Sequence, residues 1–202
     1  AKAAVDRPAK KVKQAATVVY YKLLMPNKFT GWIIGPAGAT IKAIQTKSGA
    51  RVNIAKGTEY SPWTDSRVVS ISGKMINVAK AVAAILQEVL SSNGPKGDAA
   101  NEREMILELL IPDMSCGLIR AGMTHLEEKS GAVITLSGKE KQIAGTNERI
   151  LTVVGNIKQV SIGAEAVLQK IYEDPECQYD TPLTHYASAG VSGPSGNGLI
   201  AQ

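Results

Sequence analysis

The most informative stretch of the sequence is Ile33-Ile34-Gly35-Pro36-Ala37-Gly38-Ala39-Thr40-Ile41-Lys42. It is typical of the end of one helix, a Gly-x-x-Gly turn and the start of a second helix, in which Ile41 and Ile44 lie three residues apart on one face. Such a turn places backbone N–H groups and a positive helix N-terminus at one point, and neither glycine has a Cβ to hold off a ligand. The corner is therefore suited to an anionic backbone, although the four-residue pattern alone carries little weight.

The sequence around this corner predicts three strands and a closing helix. The strand segments are rich in Val, Ile, Leu and Tyr, Pro26 ends the first of them, and Gly49 is suited to the positive φ that ends a helix. The predicted bounds are strand 17–25, helix 28–34, a helix from about 39, strand 51–55, loop 56–65, strand 66–72 and helix 75–90. The order β-α-α-β-β-α predicts an α+β layer, a three-stranded antiparallel sheet backed by three helices.

The same unit occurs twice in the chain. Ser48-Gly49-Ala50 recurs as Ser130-Gly131-Ala132 at an offset of 82, whereas Gly31-Trp32-Ile33 recurs as Gly117-Leu118-Ile119 at an offset of 86. The second copy has therefore lost four residues between these anchors, where the first copy has its Gly-x-x-Gly turn. The predicted organisation is a basic N-terminal arm (1–15), a first domain (16–92), a linker (93–103), a second domain without the turn (104–175) and a C-terminal tail that is Gly/Ser-rich at its end (176–202).

Charge is distributed unevenly between the two copies. The chain has a net charge of +5, but residues 16–92 hold nine basic and three acidic residues, whereas residues 104–173 hold seven basic and nine acidic residues. This asymmetry favours a polyanion partner for the first copy. Scattered lysines that serve only solubility remain the alternative from charge alone.

With its strand before the corner and Ser-Gly-Ala and a second strand after it, the chain resembles type I KH domains in tandem. The resemblance covers about residues 17–91 and 104–174 and is greatest to the Nova family of splicing regulators, with poly(C)-binding KH proteins next. In the second copy it rests on 112–119, 129–132 and 171–175. KH domains hold about four single-stranded nucleotides with the Gly-x-x-Gly loop against the backbone.

The resemblance implies an RNA-binding groove in the first copy. Its implied residues are Gly31, Ile34, Gly35, Pro36, Ala37, Gly38, Ile41, Lys42, Arg51, Ile54, Lys56 and Arg67. Within this set, the resemblance places Arg67 where an arginine donates to O2 and N3 of cytosine, a pair that a guanidinium fork matches. The loop departs from the family, because Pro36 and Ala37 stand where a Lys or Arg is usual. We therefore expect a clamp of modest affinity.

In the second copy, the missing turn and the acidic balance predict lost or altered RNA binding. Arg120 and Arg149 are the residues through which weaker binding would persist. The expected role of this copy is structural, either packing on the first copy or presenting a surface for protein partners or self-association.

The expected function is sequence-selective binding of single-stranded RNA, with short pyrimidine-rich elements containing CA as targets and pre-mRNA splicing as the process. The alternatives are a poly(C)-type regulator of mRNA stability or translation and a KH-based protein-interaction scaffold. No phosphate-loop, dinucleotide, zinc-protease or nucleophile-elbow motif is present, so we expect no catalysis, no cofactor and no metal. We also expect no membrane partner and a nuclear location, with shuttling to the cytoplasm as an alternative.

Overall fold

The computed structural model describes residues 18–56, 65–92, 102–139 and 147–173. We refer to residues 18–92 as the first unit and residues 102–173 as the second unit. The predictions made for the basic N-terminal arm, most of the linker and the C-terminal tail concern positions outside the described residues.

The first unit confirms the predicted order of elements. The members of its main apolar cluster alternate along the strands and recur at helical spacing on the last helix. The elements are β1 (Val19–Pro26), α1 (Asn27–Ile34), a 3-10 turn (Pro36–Gly38), α2 (Ala39–Ser48), β2 (Arg51–Ile54), β3 (Ser66–Gly73) and α3 (Met75–Ser92). The predicted bounds of these elements are correct to within two residues.

Within the described residues of the second unit, 102–139 and 147–173, there are two helices where three were expected. Its elements are β4 (Met105–Pro112), α4 (Ser115–Ser130), β5 (Val133–Leu136), β6 (Glu148–Gly155) and α5 (Ile157–Ile171). The single helix α4 replaces the two helices α1 and α2 and the turn between them. Because Arg120 corresponds to Ile34 and Ala121 to Ala39, the deletion removes the equivalents of residues 35–38, and the helix continues where the first unit turns.

The six strands form one continuous sheet in the order β2-β3-β1-β4-β6-β5, not two separate three-stranded sheets as the sequence suggested. Strands β1 and β4 join the units and pair antiparallel, with Leu23 opposite Leu109, Lys22 opposite Leu110 and Leu24 opposite Glu108. Since β1 corresponds to β4 at an offset of 86, this pairing is symmetric about Leu23 and Leu109. The two units are therefore related by a local pseudo-two-fold axis through the centre of the sheet.

The helices of both units pack on one face of this sheet and share one apolar core. Buried side chains from α3 and α5 belong to the same continuous cluster. Helix α3 also has the length and mean hydropathy, 1.2, that a membrane span requires, but its apolar face, including Val82 and Ile85, is buried in this core. That is the usual character of the central helix in a folded domain.

Polar contacts reinforce the junction between the units. The Lys22 Nζ lies 2.6 Å from Oε1 of Glu148, and both side chains are almost fully buried. The hydroxyl of Tyr21 donates to the carbonyl of Ala164 at 2.8 Å. Lys22 and Glu148 therefore link β1 to the second unit, and removal of either partner would leave the other charge buried and uncompensated.

Candidate nucleic-acid interface

The Gly-x-x-Gly turn forms a tight corner between helices α1 and α2. Helix α1 ends when the N–H of Gly35 donates to the carbonyl of Gly31 at 2.9 Å, and the N–H of Gly38 donates to the carbonyl of Gly35 at 3.2 Å. Both glycines have positive φ, +70° and +77°. The side chains of Pro36 and Ala37 at the tip are exposed. The tip of the corner is therefore exposed at the start of α2, although the N–H groups of Gly35 and Gly38 donate within the turn and Pro36 has none.

The corner requires glycine at its first position for two reasons. A Cβ on Gly35 would overlap the Thr40 hydroxyl, and the positive φ disfavours any L side chain. Ala37 adopts φ +50°, the only positive value at a non-glycine among the described residues. Strained backbone of this kind persists where the surrounding structure holds it, and it is concentrated at functional sites.

Apart from Arg67 on β3, the other predicted groove residues of the first unit lie on α1, on α2, and on or just after β2. Three are apolar and half-buried against the edge of the core, and four are basic or glycine and exposed. The half-buried residues are Ile34, Ile41 and Ile54, and the exposed residues are Gly31, Lys42, Arg51 and Lys56. This arrangement gives an apolar floor with cationic groups at its margin, which suits stacked bases and a phosphate backbone.

Arg67 is held by two partners inside the first unit. Its Nε donates to the carbonyl of Ala55 at 2.7 Å, Nη2 donates to the same carbonyl, and Nη1 donates to Oγ1 of Thr30 at 3.1 Å. A guanidinium has five N–H groups, so one N–H on each Nη is left for an outside acceptor. The interior contacts orient the guanidinium, and its two outer donors match a paired acceptor such as O2 and N3 of cytosine.

Thr30 is a part of this arrangement that sequence reasoning did not identify. Its hydroxyl donates to the carbonyl of Asn27 at 2.7 Å and accepts from Arg67, so it connects the start of α1 to β3. A polar residue in the apolar run of α1 was the available signal. Phe29 and Trp32 on the same helix lie 5.3 Å apart between ring centroids and are half-buried, so they pack on each other.

The second unit places its equivalent arginine differently. Arg149 is only 2% exposed, and its Nη1 lies 3.6 Å from Oδ1 of Asp113. Cys116 occupies the position of Thr30, and within the described part of the chain Nε and Nη2 of Arg149 have no hydrogen-bond partner. Burial raises the pKa of the Cys116 thiol, which is also next to Arg149. This guanidinium therefore lies beneath the surface, whereas the other candidate, Arg120, is exposed on α4.

The described residues contain no arrangement of side chains that could hold a metal ion. Across 18–56, 65–92, 102–139 and 147–173, no group of three His, Cys, Asp or Glu side chains is arranged to hold a metal ion. His125 is exposed on α4.

Comparison with known proteins identifies relatives for both halves of the chain. Residues 20–87 match the family model described as "KH domain". The chain is 29% identical over 201 residues to "RNA-binding protein Pasilla" of Drosophila melanogaster, covering 92% of this chain and 25% of that protein. It is 31% identical over 194 residues to human "RNA-binding protein Nova-2", covering 88% of this chain and 39% of that protein.

Among solved structures, the chain is similar to the first KH type I domain of human Vigilin. The TM-score is 0.34 at 15% identity, and the match covers 48% of this chain and 96% of that one. The chain thus spans between a quarter and two fifths of the two curated relatives above.

Proposed function

Since this chain is a KH-domain protein with Nova-like sequence, we propose that it binds single-stranded RNA and regulates pre-mRNA splicing in the nucleus. The observation that carries the proposal is the contrast between the units. The first unit has a Gly-x-x-Gly corner with exposed backbone, and the second has the unbroken helix α4 in its place. The first unit is therefore the principal RNA site, and two tandem KH units with unequal roles describe the chain.

The proposed ligand is a pyrimidine-rich element containing CA. About four nucleotides fill a KH groove, with the sugar-phosphate backbone against the exposed tip of the corner at the positive N-terminus of α2 and the bases over Ile41 and Ile54. Arg67 reads cytosine through its two outer N–H groups. Lys42, at the exposed surface of α2, supplies the attraction that Pro36 and Ala37 cannot.

The second unit acts mainly as a support for the first. Its Arg149 is buried beside Asp113, and its α4 has no corner at which a phosphate could meet backbone N–H groups. Its residues complete the sheet and the core on which β1 and α3 depend.

The corner is tested by fluorescence anisotropy with a short CA-containing RNA at two salt concentrations. Two to four phosphate contacts give a slope of log K against log salt of roughly −1.5 to −3. Replacing Pro36 and Ala37 with two aspartates is expected to abolish binding, since both side chains are exposed and Asp tolerates positive φ. Thr124→Asp with His125→Asp is the matched control, because it adds the same charge on the exposed surface of α4. Equal affinity in both double variants would overturn the assignment.

Base reading is tested separately. Arg67→Ala is expected to reduce the preference for cytosine over uracil more than it reduces binding overall. Arg149→Ala is the matched control in the second unit, and a loss of preference there as large as for Arg67 would contradict the unequal roles.

The cellular role is tested by crosslinking the protein to RNA in cells. Recovered sites concentrated in introns near regulated exons support splicing. Sites concentrated in 3′ untranslated regions would replace that role with the poly(C)-type regulation of stability or translation.

A further inference from the structure

A cavity of about 400 Å³ lies at the junction of the two units, away from the Gly-x-x-Gly corner. It opens between the end of β1, the C-terminal turns of α3 and the start of β4. Phe29, Leu90, Met105 and Ile106 contribute its apolar wall. Residues 93–101, which connect α3 to the second unit, contain no aromatic residue and no Val, Ile, Leu or Met.

The pseudo-two-fold axis relates this cavity to a place that is filled. Leu90 at the end of α3 corresponds to Tyr172 after α5, and Ile106 on β4 corresponds to Tyr20 on β1. On the filled side the Tyr172 hydroxyl accepts from the N–H of Tyr20 at 2.7 Å and donates to the carbonyl of Tyr20 at 3.2 Å. The phenol of Tyr172 thus satisfies the backbone of β1 at a position beyond the pairing of β1 with β4.

The cavity exists because three of the residues that line it are not aromatic, whereas their counterparts on the filled side are tyrosines. Tyr172, Tyr20 and Tyr21 are replaced at the cavity by Leu90, Ile106 and Leu107. Only residues 108–110 of β4 pair with β1, so the backbone of Ile106 lies beyond the ladder, as Tyr20 does. The N–H and carbonyl of Ile106 correspond to the two backbone groups of Tyr20 that bind the Tyr172 hydroxyl. By the symmetry, they face the cavity.

We propose that this cavity binds the tyrosine side chain of a peptide from a protein partner. Its ring packs between Phe29 and Leu90, and its hydroxyl bonds the N–H and carbonyl of Ile106, as Tyr172 bonds Tyr20. The internal contact provides the template for ring size, depth and hydrogen bonding. Buried tyrosines need a hydroxyl partner in this way, and aromatic anchors in pockets dominate many protein interfaces.

The charge around the opening favours a peptide over RNA. Lys28 and Arg103 line the cavity together with Glu104 and Glu108, so its margin has no net positive charge. A nucleic-acid backbone would meet two carboxylates there. The surface is distinct from the corner proposed for RNA, and its occupation does not depend on that proposal.

The test is an NMR titration of the full chain with N-acetyl-tyrosinamide, N-acetyl-phenylalaninamide and N-acetyl-leucinamide. Tyrosinamide is expected to shift the Leu90 methyl and Ile106 amide signals, and to bind about tenfold more tightly than phenylalaninamide because of the hydroxyl. Leucinamide is expected to give no shifts at these residues. Equal effects of the three compounds, or tyrosinamide shifts located elsewhere, would overturn the proposal.

The variant Leu90→Tyr places a tyrosine of the chain itself in the cavity, at the position that corresponds to Tyr172. It is expected to abolish the tyrosinamide shifts and to raise Tm, because its ring repeats the contact that Tyr172 makes. Unchanged tyrosinamide binding in a folded Leu90→Tyr protein would contradict the proposal. The wild-type titration tests the proposal by itself if this variant does not fold.

A further comparison distinguishes the sources of the tyrosine. The C-terminal tail of this chain carries Tyr179 and Tyr186. A chain that ends at Glu173 is expected to bind tyrosinamide as the full chain does. Binding of tyrosinamide seen only after this truncation would assign the cavity to the tail instead of a partner. Displacement of tyrosinamide by a short RNA would assign the cavity to nucleic acid. Either result overturns the proposal.

Discussion

Of two nearby glycines, Gly35 is required by the geometry of the corner and Gly31 is not. Gly35→Ala places a Cβ against Thr40 at a positive φ, so we expect the free energy of unfolding to fall by about 1–3 kcal/mol. Gly31→Ala is the control, since no atom lies within 4 Å of its added Cβ and the residue is helical; alanine there is expected to stabilise by about 0.5–1 kcal/mol. Urea unfolding of both variants measures the difference, and losses of equal size would mean that the corner is not held by Gly35.

A half-buried carboxyl makes the stability of the protein depend on pH. Burial raises the pKa of Glu108, which lies on β4 opposite Leu24. A raised pKa in the folded protein means that the stabilising contribution is present at low pH and is lost as the pH rises through that pKa. Glu108→Gln is therefore expected to raise Tm at pH 7 and to have little effect at pH 3.

Glu104→Gln is the control for this change, because Glu104 is exposed on the same side of the cavity. Thermal unfolding followed by circular dichroism at both pH values provides the measurement. A Glu108→Gln protein that is less stable than wild type at pH 7 would show that the carboxylate makes a favourable contact that burial does not outweigh.

At the scale of elements, four residues separate a corner from a continuous helix. Inserting Gly-Pro-Ala-Gly between Arg120 and Ala121 is expected to divide α4 into two helices, because both flanking residues are exposed and the insertion restores the alignment with the first unit. Carbon chemical shifts over residues 115–130 report the interruption. Inserting four alanines is the control and should leave the helix unbroken; a continuous helix in both proteins would mean that the surrounding packing, not the glycines, determines the turn.

The elements also show how far the sequence could predict the structure. Local signals identified each strand and helix of the first unit, because Pro26, Gly35 and Gly49 mark ends by their own conformational limits. The alignment located the deletion, but whether its flanking segments would join into one helix depended on the packing of α4 against α5. The burial of Arg149 was also not predictable, since it depends on a tertiary contact with Asp113 and on Cys116 standing where Thr30 holds Arg67. The groove residues remain predictions until RNA binding is measured.

At the scale of the whole molecule, the two units depend on each other. The sheet is continuous, one apolar cluster extends through α3 and α5, and Lys22 is buried against Glu148 of the other unit. Pairing between β1 and β4 is a contact between residues 86 positions apart, which no local sequence signal specifies. The second unit thus completes the sheet and the core of the first, although it lacks the corner.

The symmetry of the junction leads to a prediction for the first unit when it is separated. A chain of residues 16–92 exposes the edge of β1, and an exposed strand edge is a template for pairing with another chain. Because β1 pairs with β4 symmetrically about Leu23 and Leu109, a second copy of β1 can form the same ladder with Leu23 opposite Leu23. Lys22 then lies in the interface without Glu148, so Lys22→Leu is expected to strengthen the dimer. Sedimentation equilibrium should find dimers of the fragment and monomers of the full chain, with the lower dissociation constant for the leucine variant. Fragments that stay monomeric at high concentration, with or without this substitution, would show that β4 contributes contacts that a second β1 cannot replace.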